Sequence, residues 1–189
     1  MPVGEKKVGL PELFYDLVFV YALFRTTELV HHADEADYVT FLISLVILFT
    51  VWSYQSIYIN RFGDNSWRDR LFLFADMFLL LFLSNAVGSD WLANFVPFNL
   101  ALGLLVGSVC LQYLLQLARH ASPEQRRRIK LVAGLRGLTA ATVLGSLLFP
   151  AHIGQWVALG GFGLGWILPT FVSHKQPAVN FPHLLERLN

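Results

Sequence analysis

The chain has 189 residues, of which 55% are hydrophobic and 14% charged, with a mean hydropathy of +0.53 and a formal net charge of +1. A soluble domain carries about 25% charged residues, so these values exclude a disordered tail, a nucleic-acid-binding domain and an ordinary soluble enzyme. A single cysteine, Cys110, excludes an internal disulfide framework and any multi-cysteine metal site.

The apolar residues come in long runs. At a rise of about 1.5 Å per residue, about 20 residues cross a hydrocarbon core of roughly 30 Å. Six segments meet that length or approach it: Leu10–Val30, Tyr38–Ile59, Leu71–Val87, Asn94–Ala118, Leu131–Phe149 and Ile153–Val172. The expected fold is all-α: a polytopic integral membrane protein forming one bundle of about six transmembrane helices. The connections read HHADEAD, NRFGDNSWRDR, GSD, RHASPEQRRRIK and PAH, each too short for a further domain.

Helix one opens with Glu12 and Asp16, four residues apart and therefore on one face. Acidic groups there, and no small-residue cleavage site, argue against a secretory signal peptide. Arg25 and Glu28 near its far end are spaced to pair locally. The next connection, with His31, His32, Asp34, Glu35 and Asp37, fits no standard metal spacing and reads as a solvated acidic loop. Helix two carries Trp52, Tyr54, Gln55 and Tyr58, then Asn60, Arg61, Phe62 and Asp64. Trp67 and Trp91 lie near predicted boundaries, where aromatic anchors are expected.

Small residues mark the second half. Ala133, Gly137, Ala141 and Gly145 repeat every four residues in helix five, with Gly103 and Gly107 in helix four and Gly161 and Gly165 in helix six. Such spacing permits close helix approach in lipid, and serves either tight packing or a sliding surface. Lys and Arg fall on alternate connections: twelve of the 14 lie at the N-terminus, the second and fourth connections and the tail, and the other connections hold none. The positive-inside rule then puts both termini in the cytoplasm.

Intramembrane ionisable groups each need a reason. Counted from the cytoplasmic ends of their helices, Asp16, Asp76, Gln112 and Arg136 all lie roughly 8–9 Å below the boundary. They are expected to form one buried polar layer with Glu12. Arg136, with five donors, would compensate Asp16 and Asp76. The layer serves either as an ion or proton path or as a network that fixes packing. No nucleotide-binding, zinc-protease or nucleophile-elbow spacing is present. Neither catalysis, a metal nor a cofactor is expected.

The block Glu12-Leu13-Phe14-Tyr15-Asp16-Leu17-Val18-Phe19-Val20 resembles the signature of the bacterial low temperature requirement protein A (LtrA) membrane family. Trp52 through Tyr58 to Asn60-Arg61-Phe62 also resembles that family, as does Phe181-Pro182-His183-Leu184-Leu185-Glu186-Arg187-Leu188. The resemblance implies a multi-pass protein of a bacterial cell membrane, and supplies no reaction. It singles out Glu12, Phe14, Asp16, His183, Glu186 and Arg187 as family-motif positions. In that family the His–Glu–Arg block leads into further helices, so the chain is expected to correspond to an N-terminal half, with residues 180–189 starting another helix. The partners expected are the lipid bilayer and a second copy or a separate helical bundle, without nucleic acid. A looser, architectural likeness joins the chain to six-helix lysosomal and bacterial potassium channels, whose arginine-phenylalanine-serine-aspartate block it lacks.

Overall fold

The computed structural model describes residues 9–30, 35–88, 90–119 and 122–172. Six α-helices account for nearly all of them: α1 (Leu10–Thr27), α2 (Glu35–Phe62), α3 (Trp67–Asn85), α4 (Trp91–Gln116), α5 (Pro123–Gly145) and α6 (Ala151–Val172). Short 3-10 turns, Glu28–Val30 and Ser146–Leu148, extend α1 and α5, and no strand occurs among the described residues.

Local chemistry fixes the helix starts. The Ser66 hydroxyl accepts the Asp69 N–H at 3.4 Å to open α3, and the Asp90 carboxylate accepts the Ala93 N–H at 3.0 Å to open α4. Asn65, just before the α3 cap, takes a left-handed conformation with φ 59°, which asparagine tolerates better than most residues. Pro123 sits in the first turn of α5, where its missing N–H costs nothing. Helix five therefore starts well before the apolar run at Leu131. Its basic first turns are helical, and Arg128 reaches back to Glu124 at 2.8 Å.

Helix α4 is the hub, packing on α2, α3, α5 and α6, while α1 packs on α3 and α2. The α4–α5 seam is closed by small residues. A Cβ on Gly103 would lie 2.5 Å from the Leu144 side chain, and the Cys110 thiol reaches the Ala133 carbonyl at 3.2 Å. The α5–α6 seam is closed in the same way, by Gly161 against Thr142 and Gly165 against Thr139. These two glycines are thus spent on packing within the chain and are not a face left over for a second copy.

The interior holds Leu80, Leu83, Leu102, Leu105 and Val106, but also Gln55, Asp76, Asn99, Gln112, Gln116 and Arg136. The outside carries Leu13, Leu17, Phe24, Phe74, Phe78 and Leu92, with Phe78 70% exposed. Polar groups inside and large apolar groups outside suit a hydrocarbon solvent, not water. Among the described residues, three stretches are long and apolar enough to cross a membrane: Tyr38–Phe62, Trp91–Gln116 and Pro123–Leu148. Helix α1 has only 18 residues and carries Glu12, Asp16 and Arg25; α3 has 19 and carries Arg68, Asp69, Arg70 and Asp76.

Candidate functional site

Asp76 projects from the middle of α3 into the interface with α4 and is 1% exposed. Gln112, on α4, donates to Asp76 Oδ2 at 3.1 Å. Gln112 also exchanges amide hydrogen bonds with Gln55 of α2, at 3.1 and 3.2 Å, and lies 3.3 Å from the Ser108 hydroxyl one turn earlier on α4. The second carboxylate oxygen, Asp76 Oδ1, is buried with no hydrogen-bond partner. One turn further along α4, Gln116 donates to the Tyr58 hydroxyl at 2.9 Å, and that hydroxyl donates to the Gln112 carbonyl at 3.4 Å. A polar track thus runs from Asp76 through Gln112 and Tyr58 to Gln116, about 6 Å along the α4 axis from Gln112 to Gln116. It runs toward the basic end of the bundle.

At that end the α2–α3 loop is tied together. Asp64 accepts from the Ser66 N–H at 3.1 Å and from Arg119, just past α4, at 2.8 Å. The Asp64 N–H donates to Asp69 Oδ2 at 2.9 Å. A hydrogen bond from the Asp69 carboxyl, followed by one from Ser66, holds Asp64 well below the usual carboxylate range. Burial first, and then the facing Asp64 carboxyl, push Asp69 up. Glu12, 4% exposed, lines a small cleft here with Ile59, Asn65, Asp69, Arg70 and Leu73.

The other expected members of the layer lie elsewhere. Asp16, half-buried, accepts from the Trp52 indole N–H at 2.8 Å, and that indole stacks on Phe19 at 5.2 Å. Arg136 lies across the Tyr54 ring, 3.2 Å from its centroid, and donates to the Gly165 carbonyl at 3.3 Å. No ion pair joins Arg136 to Asp16 or Asp76 among the described residues. The expectation that this arginine compensates both carboxylates is corrected by topology. Asp76 is on α3 and Arg136 on α5, and α4 packs between those two helices. Equal depth therefore did not mean a shared site. Asp76 and Gln112 are brought together; Asp16, Glu12 and Arg136 each have separate surroundings.

Arg25 and Glu28 do form the local ion pair expected from their spacing. Phe14 is on the exposed face of α1. His183, Glu186, Arg187 and the whole segment 180–189 lie outside the described residues. No group of three or more His, Cys, Asp or Glu placed to hold a metal occurs among the described residues. The roles of Ser108, Tyr58 and Gln116 escaped sequence reasoning. A stripe of Ser108, Gln112 and Gln116 at four-residue spacing on an otherwise apolar helix was the available signal.

No curated protein and no solved structure matches the chain. The family described as bacterial low temperature requirement A protein (LtrA) matches residues 7–189. Together with the apolar helices and the polar interior, that match marks a membrane protein. Covering essentially the whole chain, it leaves the Glu12–Val20 block and the tail inside one family: this chain belongs to the bacterial LtrA family.

Proposed function

We propose that the chain is a six-span protein of a bacterial cell membrane, with both termini cytoplasmic, and that the Asp76 cluster is the binding point of a proton or monovalent-cation pathway. The observation that carries this reading is a shortage of hydrogens around a buried carboxylate. Gln112 Nε2 has two hydrogens and three acceptors at 3.1–3.3 Å, from Asp76, Gln55 and Ser108. The Ser108 hydroxyl adds one hydrogen beside the carboxylate, and Asp76 Oδ1 is still buried without a hydrogen-bond partner. A proton or a small cation supplies what the cluster lacks, and one carboxylate balances one positive charge. Half-buried Ser108 and the Tyr58–Gln116 pair give the cluster polar neighbours on the way out. The reading assigns the chain no catalytic chemistry and no cofactor.

A second reading is supported by the reciprocal Gln55–Gln112 amide pair, which ties α2 to α4 whether or not anything moves. In it the polar cluster only fixes helix packing in a scaffold or stress-response component. Purified protein in liposomes separates the two. With an imposed pH or potassium gradient, wild type should carry flux above empty liposomes, and Asp76→Asn should reduce it to that baseline. Absence of wild-type flux, with Asp76→Asn folding normally, favours the scaffold. Flux that persists undiminished in Asp76→Asn removes this site from the pathway.

A further inference from the structure

An α-helix carbonyl at position i is satisfied by the N–H at i+4. The carbonyl of Gly165 needs the N–H of residue 169, and residue 169 is proline, which has none. Helix α6 continues to Val172, so the vacancy lies within the helix and not at its end. In a membrane an unpaired backbone carbonyl costs several kcal/mol, and neighbouring helices commonly resupply the missing donor.

Two donors from two other helices converge on this one oxygen. Arg136 Nη1 of α5 reaches it at 3.3 Å, and the Tyr54 hydroxyl of α2 at 3.5 Å. The approach is built in. Thr139, three residues after Arg136 and on the same side of α5, packs directly on Gly165, where even a Cβ would lie 2.0 Å from its hydroxyl oxygen. Tyr54 meanwhile presents its ring face to the guanidinium. Arg136 is 9% exposed and has no acidic partner among the described residues. The carbonyl that Pro169 leaves free and the Tyr54 ring are the groups that face its charge.

We propose that Arg136 and Tyr54 form a clasp on a proline-made hinge in α6. They hold the Gly165 carbonyl that Pro169 leaves without a helix donor, and so set the position of the helix end beyond Gly165. Releasing the clasp frees that end to swing, and α2 and α5 control it together. The clasp is separate from the Asp76 cluster and does not depend on transport through it.

The test is a double-mutant cycle between Arg136→Leu and Pro169→Ala, read by backbone hydrogen exchange over residues 166–172 in nanodiscs. A bond from a charged donor stabilises enough that losing it should speed local exchange about tenfold or more. Arg136→Leu is expected to show that acceleration, and Tyr54→Phe a smaller one. Pro169→Ala restores the N–H at 169, so in that background Arg136→Leu should have little effect on exchange. Should Arg136→Leu alone fail to fold, recovery of folding by Pro169→Ala supports the clasp, and failure in both backgrounds overturns it. Equal acceleration with proline and with alanine at 169 also overturns it, since Arg136 would then be acting on something other than the freed carbonyl.

Discussion

Gly165→Ala adds one methyl group at the tightest point of the α5–α6 seam. Its Cβ would lie 2.0 Å from Thr139 Oγ1, 3.2 Å from Thr139 Cβ and 3.3 Å from Cγ2. Thr139 is 1% exposed, and its hydroxyl is bonded to the Leu135 carbonyl at 3.0 Å. One rotation of the threonine puts its methyl in the hydroxyl's place and the other takes the hydroxyl off the Leu135 carbonyl, so either the helices part or that bond is lost. Overpacking of this kind costs about 1–3 kcal/mol. Thr139→Ala removes Oγ1 and Cγ2 and leaves only the 3.2 Å Cβ contact, which a shift of a few tenths of an ångström absorbs. The double variant should therefore recover most of the loss. Gly163→Ala meets nothing within 4 Å and should be neutral or stabilising by about 0.5–1 kcal/mol, alanine being the better helix former. Gly161→Ala should resist rescue by Thr142→Ala, because the Thr142 Cβ itself lies 2.5 Å away. The assay is unfolding by SDS titration from mixed micelles, followed by circular dichroism. A neutral Gly165→Ala, a Thr139→Ala that rescues nothing, or a Gly163→Ala as costly as Gly165→Ala would refute the packing argument.

The charge asymmetry of the connections predicts which loops face outward. With Cys110→Ser as background and single cysteines at Ser66, Ser89 and Ser122, an impermeant thiol reagent outside whole cells should label position 89 alone; labelling at 66 or 122 reverses the orientation. The α2–α3 loop predicts a pH effect of definite sign. Because Asp69 is pushed up on folding, its contribution is present below the ordinary carboxylate value of about 4 and is lost as pH rises through the raised folded value, whereas the lowered Asp64 contributes at neutral pH and loses its contribution only in strong acid. Unfolding of wild type between pH 4 and 7 should therefore lose more stability than unfolding of Asp69→Asn, and parallel pH profiles would contradict the buried, carboxyl-facing surroundings of Asp69.

What was legible in the sequence follows from which physical quantity each residue pattern reports. Apolar run length reports solvent, so the six helices could be placed from hydropathy alone. The start of α5 could not, because Ser122 and Pro123 begin a helix whose first turns are polar, and hydropathy does not register a cap. Arg25 and Glu28 were readable because a three-residue separation brings side chains together without any tertiary information. Depth was the one coordinate available for the polar layer, and depth is a single dimension. It placed Asp76, Gln112 and Arg136 level with one another, but which of them meet depends on helix order around the bundle. With α4 between α3 and α5, Asp76 faces Gln112 and Arg136 faces the other way.

That separation changes what an intramembrane arginine implies. A carboxylate at similar depth invites the inference of an ion pair, yet the sequence also contains a different demand for a cationic donor at Pro169, four residues after Gly165. A proline inside a helix leaves a carbonyl without its donor, and a guanidinium offers several donors in a fixed plane. The pairing of Arg136 with the Gly165 carbonyl answers that demand while Tyr54 covers the charge. Asp76 has no cation beside it among the described residues because α4 stands between it and Arg136, whatever the arginine binds. Its unpartnered oxygen is therefore set by helix order, and the proposed pathway rests on a positive charge from outside the chain meeting it there.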